Sequence, residues 1–396
     1  MTLTPALLRW LQTEEAASWL TPLTASPPAD ADLLSTLTRL RRLLPAEQAA
    51  VLVEEARLRR EAAAKFLTAE RMFFAQPLLQ QASPAAVAAH TARRFAGRPW
   101  VADLGCGLGG DALALSGSAH VLAVDIDPLA LLLTQANAKS LGVGDYIHTL
   151  RADARQPAWR LPAAWADPGR RAGDRRLFDP DRLQPPLSVM LDLHRSSIPD
   201  MGIKLMPGLP HTAIPAEAEA EWISLRGELK EAVLWLGSLA QAGRRRATVL
   251  PENAEIVAAG AQADRRPPGA WLYEPDPAVI RAGAVGDLAV MLGLWQIDAE
   301  IAYLSGDELR PTPFARAWPV IEHLPFDLKA LNRRLQVLEG EVVAVKKRGS
   351  PIEPEAFRRR LSGRFGGRPL VVVITRQAGK PWTLICGTPV SEESRV

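Results

Sequence analysis

Cysteine is scarce in this chain of 396 residues. Cys106 and Cys386 are too few for a disulfide framework or a thiolate zinc site, and their number fits a reducing compartment. No run of about 18 uncharged apolar residues occurs, so no membrane-spanning helix and no membrane partner are expected. The opening stretch carries Glu14 and Glu15 where a secretory signal wants cations, and the expectation is a cytoplasmic protein. His90, His120, His148, His194, His211 and His323 show no ligand spacing, so no metal is expected. A strong charge of one sign is missing too: a net +3 with a pI near 9.0 does not announce a nucleic-acid binder, so any such claim depends on where the charge sits. Repeats and long low-complexity tracts are absent. What remains is ordinary globular composition, 47% apolar and 23% charged, which rules out wholesale disorder and leaves room for two or three domains.

The hydrophobic period changes along the chain. Residues 1 to about 97 read as helical, with Leu33, Leu37, Leu40 and Leu44, then Ala49, Leu52, Val53 and Ala56, near helical spacing. From Trp100 the pattern alternates: a strand over Trp100–Leu104, a glycine-rich turn, a helix over roughly 111–117 and a strand over His120–Val124 form a βαβ unit. A helix near 128–141, a strand near Tyr146–Arg151, one ending at Ala166 and one at Met201–Met206 continue it, as a parallel sheet requires. The expected division is a helical region over 1–70, a sheet domain over 71–260 and an α+β module over 270–396. In that module helices are expected near 276–283, 284–295 and 353–362, with strands at Val342–Lys346 and Leu370–Thr375. Its last part is basic: residues 331–396 hold thirteen Lys or Arg against six acids.

The chemistry concentrates after the first strand, in Asp103-Leu104-Gly105-Cys106-Gly107-Leu108-Gly109-Gly110-Asp111. Glycines there permit a tight turn and close ligand approach, and the helix that follows offers free N–H groups. Gly105, Gly107 and Gly110 also fit a dinucleotide fingerprint, so the spacing alone leaves a nicotinamide oxidoreductase open. Asp103 argues the other way, because an anion there repels a pyrophosphate and suits the ammonium of a methionine moiety. Asp125, at the end of the second strand, is placed to accept from both ribose hydroxyls. Asp127, just before Pro128, is the better helix cap. Asp153 and Ala154 follow the third strand, where a short acceptor can take an adenine amino group.

Together, Asp103-x-Gly-x-Gly-x-Gly, Asp125, Asp153-Ala154 and Asp167-Pro168 resemble the ordered motifs of class I S-adenosylmethionine-dependent methyltransferases. The resemblance implies an α/β fold: a doubly wound, mostly parallel, seven-stranded Rossmann-like sheet with S-adenosylmethionine over the strand C-termini, flanked here by the helical N-terminal region and the C-terminal module. Ala82-Ser83-Pro84-Ala85 is similar to the segment that covers the cofactor in trimethylguanosine-synthase-like RNA methyltransferases, which places Ser83 with Asp103, Gly105, Gly107, Gly109, Asp125, Asp153 and Ala154 as cofactor-binding candidates. Trp165 through Arg176, Gly202-Ile203-Lys204-Leu205-Met206-Pro207, Tyr273-Glu274-Pro275 and Lys346-Lys347-Arg348 resemble a bacterial group with a THUMP-like C-terminal domain. That group implies a base of structured RNA as the methyl acceptor.

Asp167 and Pro168 are the catalytic candidates. The lone pair of a base amine is delocalised into its ring, so a carboxylate that holds the N–H helps rehybridise the nitrogen, and positioning supplies much of the rest. Amino-methyltransferases of this type place a second proline and an aromatic residue after this pair, whereas Gly169 and Arg170 stand here. The departure keeps a second reading open, a methyltransferase-fold RNA-binding or adaptor protein without catalysis. Arg170, Arg171, Lys346, Lys347 and Arg348 are the candidate RNA contacts, as phosphate partners. Lys204, inside an apolar strand, is expected to reach a strand end or an acid, and Cys106 is not expected to act as a nucleophile.

Overall fold

The computed structural model describes residues 3–155, 160–170, 183–363 and 366–390. Two compact units are present: residues 1–220 with 230–243, and residues 221–229 with 244–396.

The first unit opens with four helices, α1 (Pro5–Leu11), α2 (Glu14–Ala25), α3 (Leu33–Leu40) and α4 (Ala46–Ala62). Thr4 and Thr13 cap the first two by accepting the N–H groups of Leu7 and Ala16, the usual reason a threonine precedes a helix. Two short helices follow, α5 (Gln76–Gln81) and α6 (Ala85–Ala92), and then the alternation begins: β1 (Trp100–Leu104), α7 (Gly110–Leu115), β2 (His120–Asp125), α8 (Pro128–Ser140), β3 (Ile147–Arg151) and β4 (Ala163–Ala166). A two-residue ribbon pairs β5 (Gly169–Arg170) with β6 (Leu183–Gln184) before α9 (Leu187–Ser196) and β7 (Asp200–Leu205). After β8 (Glu219–Leu225) comes β9 (Glu228–Leu236). Strand order in this unit is β9-β7-β4-β1-β2-β3, parallel except for β9. This is the doubly wound, mostly parallel arrangement expected from the sequence. Asp127 caps α8 through the N–H of Leu129 at 2.9 Å, with Pro128 in the first turn.

Leu7, Leu8, Leu11, Leu52 and Ala56 of the opening helices close over Leu133 and Ala136 of α8, so the helical layer and the sheet layer share one core. Asn137 fastens the same face. Completely buried, it accepts the Phe73 N–H at 2.7 Å and donates to the carbonyls of Phe73 and Leu108 at 3.1 and 2.9 Å.

In the second unit, β10 (Arg245–Leu250) lies between β11 (Ala254–Val257) and β8. Then come β12 (Trp271–Pro275), α10 (Pro277–Ala282), α11 (Val285–Leu292), β13 (Trp295–Gln296), β14 (Leu304–Gly306), β15 (Ala315–Pro325), α12 (Leu328–Val337), β16 (Gly340–Lys347), α13 (Pro354–Arg358), β17 (Arg368–Gln377) and β18 (Lys380–Cys386). The seven strands from β12 onward form one mixed sheet, β13-β14-β12-β15-β18-β17-β16. Period-two alternation shows why it is buried on both faces: Val371 and Val373 join Trp318 and Leu384 on one side, while Leu370, Val372 and Ile374 join Leu331, Leu335 and Phe357 on the other. Two helices are shorter than expected. Gly293, at φ +67°, ends α11, and α13 stops at Arg358 instead of reaching 362.

Candidate active site

Register brings the motif residues together. Leu104, Val124 and Ala166 are level in β1, β2 and β4, so the residues after them emerge side by side where strand order reverses. Backbone bonds hold the rim: Gly105 donates to the Val124 carbonyl at 2.8 Å, and Asp167 donates to the Leu104 carbonyl at 3.1 Å. Two glycines are required by geometry. Gly105 has φ +91° and a Cβ there would lie 3.0 Å from the Asp167 carbonyl oxygen; Gly109 has φ +89° and a Cβ would meet Thr134.

Asp103 is 1% exposed, and neither of its carboxylate oxygens has a hydrogen-bond partner among the described residues. Burial, then the carboxylates of Asp111, Asp167 and Asp125, push its pKa well above the ordinary range. Asp111, at the start of α7, is raised as well, by burial first, with Lys204 opposing the effect. An ammonium entering over β1 meets two waiting acceptor oxygens on Asp103. The Asp125 carboxylate braces the turn, accepting the N–H of Gly107 at 3.1 Å and of Asp127 at 2.9 Å, and retains lone pairs for a further donor.

Asp167 is bound at Oδ2 by Lys204 Nζ, 2.7 Å away, and the same ammonium donates to Ser83 Oγ at 2.9 Å. Burial works against the Lys204 ammonium, but Asp167, Glu231 and Asp111 outweigh it and raise its pKa above the ordinary lysine value. Lys65 anchors the segment that carries Ser83 by donating to the carbonyls of Leu79, Gln80 and Ala82. The structure therefore joins Ser83, Asp103, Gly105, Gly107, Asp125 and Asp167 at one rim, with Asp111 and Glu231 as members the sequence reading missed. An acid eight residues beyond Asp103, opening the first helix of the sheet unit, was the available signal for Asp111. Lys204 reaches an acid, as expected of it. Pro168 follows Asp167 and is buried.

Other candidates stand elsewhere. Asp153, beside Ala154, is half-buried and held in a bidentate pair by Arg155, which keeps its carboxyl below the usual carboxylate range. Arg170 contributes backbone to β5, and Arg171, Arg175 and Arg176 lie outside the described residues. The three candidate RNA contacts at 346–348 all have acidic neighbours. Lys346 pairs with Glu274 and lies 4.4 Å from the Trp318 ring centroid, Lys347 pairs with Glu353 at 2.6 Å, and Arg348 lies 3.5 Å from Glu274 and over Tyr303. Open cations stand instead on α12 and past the end of α13: Lys329, Arg333, Arg359 and Arg360 are exposed and have no side-chain partner among the described residues. Asn332 ties these two elements by donating to the Arg360 carbonyl and accepting the Ser362 N–H. Cys106 is buried, and burial with Asp103 pushes its thiol up, out of the reactive range.

A glycine turn between β1 and α7, an acid beneath it with no hydrogen-bond partner among the described residues and an acid at the end of β2 define the nucleotide-cofactor sheet of class I methyltransferases. Comparison with known proteins agrees. Two Mycobacterium tuberculosis proteins, from strains CDC 1551 and H37Rv and each called an uncharacterised S-adenosylmethionine-dependent methyltransferase, are 40% identical to this chain over 343 residues, covering 83% of it and 93% of their own length. The chain belongs to the S-adenosylmethionine-dependent methyltransferases. It is an enzyme, and S-adenosylmethionine is its cofactor. A ribosomal protein L11 methyltransferase from Methylococcus capsulatus is 36% identical over 154 residues, 37% of this chain and 45% of that protein. The crystal structure of a candidate methyltransferase from Porphyromonas gingivalis W83 shares the fold, with a TM-score of 0.75 at 16% identity over 98% of this chain and 99% of that one. Residues 315–388 match the family described as THUMP domain-like.

Proposed function

We propose that the enzyme methylates a base of structured RNA, and that the THUMP-like segment captures the RNA. The observation that carries this reading is the uncompensated charge of Lys329, Arg333, Arg359 and Arg360 inside or beside a segment whose family resemblance implies RNA. Phosphate contacts of this kind position a nucleic acid and weaken steeply with salt.

In this reading Asp103 receives the methionyl ammonium, and Asp125 accepts from the ribose hydroxyls while holding the Gly107 turn. Gly105 and Gly109 let the ligand lie against the backbone. Ala154 borders the adenine, and Asp153 reaches its amino group by exchanging its Arg155 partner. When bound, S-adenosylmethionine supplies an activated methyl group, whose carbon–sulfur electron pair returns to sulfur as the acceptor's lone pair forms the new bond. Asp167 orients the acceptor by taking its N–H at Oδ1, the oxygen opposite the one Lys204 occupies, and receives the surplus proton. Pro168 stiffens the backbone just after it.

The test incubates the purified enzyme with methyl-labelled S-adenosylmethionine and total RNA from a strain lacking the enzyme. Label should enter a single RNA species, fall steeply as salt rises, and drop about tenfold or more in a Lys329→Gln, Arg333→Gln, Arg359→Gln, Arg360→Gln variant. No label in RNA, with label entering protein when whole extract of the same strain replaces the RNA, would overturn the proposal.

A further inference from the structure

Lys204 occupies a position that an aliphatic residue would fill by pattern alone, since Met201, Ile203 and Leu205 around it in β7 are buried and apolar. A lysine there costs desolvation, with its side chain 16% exposed. The cost is offset on two sides: Ser83 Oγ on the segment pinned by Lys65, and Asp167 Oδ2 at the strand end. We propose that Lys204 is a positioning residue for methyl transfer, fixing the Asp167 carboxylate with Oδ1 turned to the acceptor and tying that orientation to the segment that carries Ser83. This rests on the reading of Asp167 given above.

Three facts favour the assignment over a bracing ion pair. One ammonium holds both the proposed acceptor-binding carboxylate and a cofactor-side serine, so each is fixed relative to the other. Acids lie close to the contact: Asp103 from the end of β1 and Asp111 from α7 neighbour Asp167, while Glu231 of β9 faces Lys204. Lys65, a cation near Lys204, already donates its ammonium to three carbonyls. Without Lys204, no side chain among the described residues is bonded to the Asp167 carboxylate, and its orientation toward the acceptor is lost.

The experiment follows S-adenosylhomocysteine formation in extract from a strain lacking the enzyme, with and without ribonuclease, alongside calorimetric cofactor titration. For Lys204→Met kcat should fall about a hundredfold, as expected for lost orientation. Cofactor affinity should stay within about threefold, and Lys204→Arg should restore most of the rate. Should Lys204→Met not fold, Ser83→Ala, which removes one anchor of the ammonium, should give a smaller fall in kcat. An unchanged kcat, or a rate loss matched by an equal loss of cofactor affinity, would overturn the assignment. Ribonuclease resistance with kcat still dependent on Lys204 would instead sink RNA as the acceptor and leave Lys204 standing.

Discussion

Replacing Asn137 with alanine probes the joint between the helical layer and the cofactor turn. The side chain is completely buried and makes three hydrogen bonds, so truncation strands the N–H and C=O of Phe73 and the C=O of Leu108, groups that water does not reach. A lost hydrogen bond costs about 1 kcal/mol and a stranded buried group about 1 to 3, so the total loss should be about 3 to 5 kcal/mol. Urea unfolding, followed in the transition of the first unit, should show a midpoint lower by about 1 M or more at an m-value near 3 kcal/mol/M. Because Leu108 belongs to the glycine turn, S-adenosylmethionine affinity should fall about tenfold, the equivalent of 1.4 kcal/mol. Asn137→Asp should be no better: it keeps the acceptor for Phe73 N–H but sets a carboxylate against two carbonyls. A loss below about 1 kcal/mol in both variants would refute the idea that this residue holds the two layers together.

Asp125→Ala should weaken S-adenosylmethionine binding by about 1.5 to 3 kcal/mol, the worth of charge-assisted bonds, in a calorimetric titration; unchanged affinity would remove it from the site. Glu55, fully buried beside Arg59 and accepting the Phe74 N–H, is pushed up to about 7, chiefly by burial. The folded state thus holds a proton that the unfolded chain releases near 4.5, so this contribution is present in full below pH 4.5 and is lost as pH rises through 7. It amounts to roughly 3 kcal/mol, and the difference in stability between the wild type and Glu55→Gln should change by a comparable amount between pH 4.5 and 8; a flat difference would sink the argument. Cys106 and Cys386 should resist iodoacetamide in the native protein and react only after unfolding. Rapid native labelling, read by mass spectrometry, would contradict the burial described.

Most of the sheet was legible because its signal is local: short apolar strands, a glycine turn and Asp127 before Pro128 each follow from neighbouring residues. Site residues were legible where strand ends carry them, since parallel strands with level ends bring Asp103, Asp125 and Asp167 together whatever the rest of the chain does. Contacts across long separations were not. Nothing near Asn137 in the sequence announces Phe73, 64 residues earlier. The acidic neighbours of Lys346-Lys347-Arg348 were hidden too, because a sequence displays charge without its counterions, and Glu274, 72 residues before Lys346, supplies one. The partner of Asp153 was not legible either: Arg155 is only two residues away, but a bidentate pair at that spacing depends on the turn's conformation.

The shared core of the opening helices also has a consequence in time. Leu52 leaves the ribosome 81 residues before Leu133, which completes the core both belong to. At roughly 5 to 20 residues per second the interval is about 4 to 16 seconds. Throughout it the part of the N-terminal layer that α8 covers faces water, or whatever binds apolar surface first, so the nascent layer is a natural client for chaperones until α8 arrives to seal it.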